Sequence, residues 1–211
     1  MKLAISLILA LIAVFPLFAA EERTPCVVLG SPVNIRSGSA ANSPVIDSIA
    51  EGQMIDMLQL EDTPVTIGNL TDVWAQVRTP GQGRLGYVFA AFLFPLYELT
   101  ANPWLNMNAD GVVLERVSFA QNGTFAWEAS PDANGNLKKA TGRWQRAGRT
   151  ITLTFTRIAA GMNINPGAQR SLYLYRHEQA SALASEYSTI SGGLKKTTVL
   201  YKKAASEGCS M

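Results

Sequence analysis

The 211-residue chain has few of the side chains that catalysis and metal binding require. It contains one histidine, His177, and two cysteines, Cys26 and Cys209. A protein zinc site needs several ligands at matched spacing, and a cysteine nucleophile needs a base beside it. Neither pattern surrounds these three residues, and no glycine segment has the spacing of a phosphate loop. The sequence therefore predicts a protein that is not an enzyme and that carries no metal or cofactor.

The chain also has no large excess of positive or negative charge. The chain has 18 Lys plus Arg against 16 Asp plus Glu, a formal net charge of +2. A nearly neutral protein exerts no long-range attraction on nucleic acid or on a membrane surface. The lysine pairs Lys195-Lys196 and Lys202-Lys203 flank the last predicted strand, where lysines typically protect a sheet edge. Nucleic acid is therefore not an expected partner.

Long apolar runs are absent except at the start of the chain. Residues 3–20 are apolar, follow Lys2, contain Pro16 and end just before Glu21. A positive start, a short apolar core and a small-residue exit form the layout of a secretory signal. A membrane anchor would need about 20 apolar residues and gains nothing from a proline at its exit. We expect residues 1–20 to be a cleaved signal, which predicts a periplasmic or secreted protein with no membrane span after cleavage.

The two cysteines lie near opposite ends of the exported chain. In an oxidising compartment, a disulfide between Cys26 and Cys209 would stabilise the fold by about 4 to 5 kcal/mol in the chain-entropy model. The alternative is two free thiols near the chain ends. The sequence leaves both open.

After residue 20, no long stretch has apolar residues at helical spacing. Short β-branched or aromatic runs separated by Gly, Pro, Asn and Asp predict an all-β protein with tight turns. We expect one unit at 26–96, a linker at 97–103, a second unit at 104–203 and a tail at 204–211. One short helix is expected, at 178–187. The predicted strands are 27–29, 33–36, 45–49, 54–60, 73–78 and 86–89 in the first unit, and 111–119, 123–130, 137–146, 150–157, 171–177 and 197–202 in the second.

Five separated segments of the first unit form an ordered set. They are Val33-Asn34-Ile35-Arg36-Ser37-Gly38, Ser43-Pro44-Val45-Ile46, Ile49-Ala50-Glu51-Gly52-Gln53, Trp74-Ala75-Gln76-Val77-Arg78 and Gly86-Tyr87-Val88. Because these segments occur in this order, residues 26–96 resemble the bacterial SH3 (SH3b) family. The resemblance implies a small SH3-like barrel that binds peptidoglycan, its stem peptides or a protein partner, and that does not catalyse a reaction.

A shallow groove on such a barrel would need an aromatic wall and a few polar anchors. The alternative is that Trp74 and Tyr87 belong to the core and that Arg36 stabilises a turn. The connection 61–72 is longer than a minimal hairpin, so we expect it to be the variable or functional loop of the unit. The candidate binding residues are Arg36, Ser37, Asn42, Asp62, Trp74 and Tyr87.

The second unit contains Gly123-Thr124-Phe125, Gly142-Arg143-Trp144 and a turn at Gly148 before an alternating strand. These segments resemble small lipocalin-like barrels of exported bacterial proteins. In the alternating strand, Ile151 and Leu153 share one face, and threonines occupy the other. About six predicted strands leave an antiparallel barrel and a sandwich open, with an interior either filled by side chains or holding a small ligand.

Together these patterns predict an exported two-domain binding protein. The SH3b-like unit would dock to peptidoglycan or a cell-envelope protein, and the second unit would serve as scaffold or as another binding surface. One alternative is a carrier of a small apolar ligand in the second unit. Another is a hydrolase site around Tyr173, His177 and Glu128.

Overall fold

The computed structural model describes residues 22–131, 135–136, 138–159, 162, 164–177, 180–185, 189–190, 193–194 and 200–204. The described chain is all-β, with one short α-helix, α1 (Tyr97–Ala101), and one 3-10 turn (Ala90–Phe92). The strands are β1 (Thr24–Val28), β2 (Val33–Arg36), β3 (Val45–Ile49), β4 (Met54–Leu60), β5 (Val65–Ile67), β6 (Leu70–Asp72), β7 (Trp74–Arg78), β8 (Leu85–Phe89), β9 (Leu93–Pro95), β10 (Trp104–Met107), β11 (Val113–Phe119), β12 (Thr124–Ala129), β13 (Lys138–Ala147), β14 (Thr150–Ile158), β15 (Gln169–His177), β16 (Ala180–Ala184), β17 (Thr189–Ile190), β18 (Gly193–Leu194) and β19 (Leu200–Lys203).

The first part of the chain forms a seven-stranded antiparallel sheet in the order β3-β2-β8-β7-β4-β1-β9. Its inner face follows the two-residue period of a strand. In β2, Val33 and Ile35 are buried and Asn34 is exposed, as the sequence predicts. A Cβ on Gly86 would lie 2.5 Å from Ile35 Cγ2, so the approach of β8 to β2 requires glycine. Strands β3 and β9 are the two edges of this sheet. Strand pairing therefore does not close it into the small SH3-like barrel that the sequence predicts.

The connection 61–72 contains a hairpin of its own. Strands β5 and β6 pair with each other and form a separate two-stranded sheet. The reversal between them is Gly68-Asn69, with Gly68 at a φ of 62°. This conformation favours glycine because it has no Cβ.

The second part of the chain is a closed barrel of eight antiparallel strands, in the order β10-β11-β12-β13-β14-β15-β16-β19. The choice between barrel and sandwich is thus settled in favour of the barrel. Two of its strands, β10 and β16, were not expected. The helix predicted at 178–187 is wrong over 180–184, which form β16; residues 178–179 and 186–187 lie outside the described residues.

Side chains fill the barrel core, and the first sheet contributes to it. Alternation along β1 divides its residues between two clusters. Val27 packs with the barrel core, whereas Cys26 and Val28 pack in the core of the first sheet. Phe94 of β9 also joins the barrel core, where its ring stacks on Trp104 with centroids 6.0 Å apart. The two sheets therefore share one continuous apolar contact.

The segment 97–103, expected to be a linker, contains the helix α1. Leu99 in this helix is 1% exposed and packs in the barrel core. The indole Nε1 of Trp104 donates a hydrogen bond to the carbonyl oxygen of Leu99 at 3.0 Å. This connection is therefore a packed part of the fold.

Candidate functional site

Arg149, which lies just before β14, connects the barrel to the first sheet. Its side chain is 8% exposed and forms an ion pair with Glu51. Nη1 donates to the carbonyl oxygen of Leu29 at 3.1 Å, and Nε and Nη2 donate to that of Leu174 at 3.3 and 3.2 Å. One guanidinium thus bonds to both parts of the protein, in the forked geometry that arginine provides.

Arg176, on β15, makes a second connection. Its Nη2 lies 2.6 Å from Oδ2 of Asp72, and its Nη1 donates to the carbonyl oxygen of Leu93 at 3.2 Å. Asp72 is 7% exposed, and its Oδ1 accepts a hydrogen bond from the backbone N–H of Val73 at 2.9 Å. Because Asp72 is the last residue of β6, this ion pair ties the β5–β6 hairpin to the barrel.

The backbones of the two parts also meet directly. Gly52 follows β3 and has a φ of 78°, which confirms the turn predicted there. A Cβ on Gly52 would lie 2.9 Å from the Cα of Gly148, which is closer than real Cβ contacts come. The junction is therefore closely packed next to the Arg149–Glu51 pair.

A cleft of about 470 Å³ opens at this junction. Leu29, Leu70, Phe92 and Tyr175 supply apolar surface, and the Asn69 amide and Thr71 supply polar groups. Asp72, Arg149 and Arg176 also line the cleft. Its volume is in the range of ligand sites, and its lining comes from both parts of the protein.

The charges at the cleft are balanced. Arg149 pairs with Glu51, and Arg176 pairs with Asp72. The guanidinium groups therefore hold the junction together and do not present a surplus positive field to a polyanion. Within the described residues, no group of three or more His, Cys, Asp or Glu side chains is placed to hold a metal ion. The arrangement suits a neutral, partly apolar ligand group.

The aromatic residues predicted to bind a ligand lie in and beside the core of the first sheet. Trp74 is 3% exposed, and its ring centroid lies 5.9 Å from that of Phe89. The expectation that Trp74 forms the wall of an open groove is therefore corrected in favour of the core alternative. Tyr87 is half-buried, and Gln76 Nε2 donates to its hydroxyl at 3.4 Å.

The polar candidates do not converge on the cleft. Arg36 Nη1 donates to the carbonyl oxygen of Ser43 at 2.7 Å, which is the turn-stabilising alternative. Ser37, Asn42 and Asp62 are exposed. The six candidates do not line the cleft, which lies against the β5–β6 hairpin. Sequence reasoning missed the cleft, and the unusual length of the 61–72 connection was the signal that pointed towards it.

Cys26 is fully buried on β1, and Cys209 lies outside the described residues. Burial raises the pKa of the Cys26 thiol to about 12 because the thiolate would lose its hydration. Nearby Arg176 opposes this shift. The two alternatives, a disulfide between Cys26 and Cys209 and two free thiols, both stay predictions.

The residues of the hydrolase alternative are far apart where they are described. Glu128 forms an ion pair with Lys139 at 2.9 Å near the start of β13. Tyr173 pairs with Thr150, opposite the end of β13. At a strand rise of about 3.3 Å per residue, these positions are separated by roughly 25 Å along the barrel. The side chain of His177 lies outside the described residues.

Three polar side chains form a cluster at the barrel core, and none of them lines the cleft. The Tyr201 hydroxyl donates to Oε2 of Glu115 at 2.5 Å, and Arg170 Nη1 lies 3.5 Å from Oε1 of the same carboxylate. The guanidinium of Arg170 also lies 4.1 Å from the ring centroid of Trp127. Burial and the neighbouring Glu115 raise the pKa of Tyr201 above its ordinary value. These contacts help to fill the barrel.

Comparison of the chain with protein-family models, with curated proteins and with solved structures finds no match in any of the three. Among the residues that the structure describes, no helix combines the length and the apolar character needed to cross a membrane.

Proposed function

We propose that this chain is an exported binding protein without catalytic activity. Its first part, which resembles the SH3b family, docks to cell-wall peptidoglycan or to a cell-envelope protein. Its barrel acts as a scaffold and supplies one side of the binding cleft. The observation that carries the proposal is the cleft of about 470 Å³, which is lined by residues of both parts.

The contacts around the cleft support a preformed site. The Arg149–Glu51 and Arg176–Asp72 pairs fix the barrel against the first sheet, and Gly52 contacts Gly148. A ligand that enters a preformed cleft loses less affinity to the ordering of loops. The long 61–72 connection therefore contributes to binding through an ordered hairpin.

Export is part of the proposal and has its own test. The apolar run at residues 3–20 is the basis for it. The mass of the protein recovered from outside the cytoplasm should correspond to a chain that begins near residue 21. Recovery of the whole chain, with Met1 or Lys2 retained, in the cytoplasmic fraction would contradict export.

Peptidoglycan binding is tested by sedimentation of the purified protein with insoluble cell-wall sacculi. Leu70 is 40% exposed and lines the cleft, so Leu70→Arg should reduce retention. Leu85 is 51% exposed and does not line the cleft, so Leu85→Arg is the matched control and should be retained like the parent protein.

Retention no greater than that of denatured protein would remove peptidoglycan as the ligand. The same two variants then test capture of a cell-envelope protein. Leu70→Arg should reduce specific capture and Leu85→Arg should not, whereas non-specific adsorption should not distinguish the two variants. Equal loss of binding in Leu70→Arg and Leu85→Arg would contradict a role for the cleft.

The small-ligand carrier is not favoured by an observation of the same kind. Such a carrier needs space inside the barrel. Trp104, Trp127 and Phe155 are almost fully buried within the barrel core, and Tyr201 packs against Trp127.

A further inference from the structure

One wall of the cleft is an edge of a strand. Four consecutive residues, from Asn69 to Asp72, line the cleft. Successive side chains of a strand point to opposite faces, so one face would contribute only alternate residues. A continuous run of lining residues means that the cleft borders β6 along its edge, where backbone N–H and C=O groups lie.

The pairing of the hairpin identifies which backbone groups face outward. The register is Val65↔Asp72, Thr66↔Thr71 and Ile67↔Leu70, joined by a two-residue reversal. In an antiparallel pair, hydrogen-bonded and non-hydrogen-bonded positions alternate. The Ile67↔Leu70 pair closes the turn through hydrogen bonds, so the N–H and C=O of Thr71 point away from β5.

The outward groups of Thr71 are available to a ligand. In the described part of the chain, no backbone hydrogen bond from Thr71 to a residue beyond β5 is present. Its side-chain Oγ1 contacts Thr66 Oγ1 at 2.9 Å, within the hairpin. The corresponding N–H and C=O of Thr66 point to the opposite edge, on the far side of β5 from β6.

We propose that the β6 edge binds an extended peptide segment of a partner protein, which adds to the hairpin as a third strand. This inference rests on the proposed function and specifies the ligand of the same cleft. The unpaired N–H and C=O of Thr71 supply backbone hydrogen bonds, and Leu29, Phe92 and Tyr175 receive an apolar side chain of the peptide.

The chemistry of the cleft favours a peptide over a polyanionic polymer. A peptide strand offers a donor and an acceptor at the spacing of the edge, and its backbone is neutral. The paired Arg149 and Arg176 leave no surplus charge for a phosphate-rich chain. At a rise of about 3.3 Å per residue, the three residues of β6 span roughly 10 Å, enough for about three ligand residues.

Proline substitution tests this edge directly. Thr71→Pro removes the outward N–H and leaves the hydrogen bonds between β5 and β6 in place, because proline is tolerated where a strand N–H faces out. Thr66→Pro is the matched control. It lies in the same hairpin and breaks the same hydroxyl contact, but it alters the opposite edge. Thermal unfolding of both variants checks that the fold is retained.

The probe is a phage-displayed library of random 12-residue peptides, selected on the purified full chain. Fluorescence anisotropy then measures the affinity of a selected synthetic peptide for the parent protein and both variants. We expect Thr71→Pro to weaken binding roughly tenfold, the equivalent of a lost backbone hydrogen bond and its desolvated partner. We expect Thr66→Pro to bind within about twofold of the parent protein.

A second measurement covers the case in which Thr71→Pro does not fold. Single N-methylation along the selected peptide should abolish binding at the one position whose N–H donates to the carbonyl oxygen of Thr71, and the two adjacent positions should tolerate it, because their N–H groups face away from β6. Uniform tolerance of methylation, equal affinities for the two proline variants, or no enriched peptide would each overturn the proposal. If sacculi are retained while the peptide tests fail, the proposed function stands and only the strand-addition mode is lost.

Discussion

Removal of the Arg149 guanidinium should loosen the junction between the barrel and the first sheet. Arg149→Met keeps the length of the side chain and removes its hydrogen bonds to Leu29 and Leu174 and its ion pair with Glu51. Loss of one partner of a buried pair costs about 3 to 5 kcal/mol. Glu51 is 36% exposed and can be hydrated, so the lower end, about 3 kcal/mol, is expected.

Urea denaturation followed by tryptophan fluorescence measures this change as a difference in the free energy of unfolding. Glu51→Gln leaves the carbonyl hydrogen bonds of Arg149 in place, so its cost should be smaller, about 1 kcal/mol. Arg143 is exposed on β13, and Arg143→Met is the control that should leave the midpoint unchanged.

The Arg149→Met substitution should also change the shape of the unfolding transition. If the junction loosens before the barrel unfolds, Arg149→Met should broaden the transition and lower its apparent m-value. A free energy of unfolding within about 0.5 kcal/mol of the parent protein, the range of ordinary surface substitutions, would refute a stabilising role for this pair.

Three further outcomes follow from local geometry and burial. Gly52→Ala should lower the melting temperature more than Gly81→Ala. Both glycines have positive φ, but only a Cβ at Gly52 would meet a neighbouring backbone. Equal melting temperatures of the two variants would contradict the close contact. Cys26 should resist maleimide at pH 8 until urea is added, because it is buried and its pKa is about 12. Rapid labelling of the folded protein would be inconsistent with this burial. A non-reducing peptide map of the same sample shows whether a bridge to Cys209 is present. The raised pKa of Tyr201 means that the unfolded chain loses this proton first as the pH rises above about 10, so the free energy of unfolding should fall with pH above that value. The fall should be shallower in Tyr201→Phe, and equal slopes would show that this hydroxyl does not contribute.

Local patterns were sufficient for most of the strands. The alternation of Val33 and Ile35 identified β2, and the bounds of β3, β4 and β7 follow similar short patterns or end within a residue of them. Segment 180–184 is Ala-Ser-Ala-Leu-Ala, which has high helix propensity, but it lies between β15 and β19 and completes the barrel. Tertiary pairing overrides local propensity there, and no local pattern carries that information.

The candidate site was harder to predict because it depends on contacts distant in sequence. Arg149 and Glu51 are 98 residues apart, and Arg176 and Asp72 are 104 apart. A single sequence gives no signal that pairs them. Trp74 drew attention as an aromatic residue in a motif, but an aromatic residue on the inner face of a strand is equally suited to packing. The 61–72 connection could be singled out from sequence because its length exceeded what a turn needs, and residues 69–72 of it line the cleft.

Because Val27 and Phe94 are packed in the barrel core, non-covalent contacts join the two halves in addition to the covalent link through α1. A protease cut engineered near residue 102 should yield two fragments that remain associated and co-elute, since each would expose apolar surface on its own. For the same reason, residues 22–96 produced without the barrel would expose Val27 and Phe94 to solvent and should tend to aggregate. A fusion protein that uses this unit should therefore include the barrel.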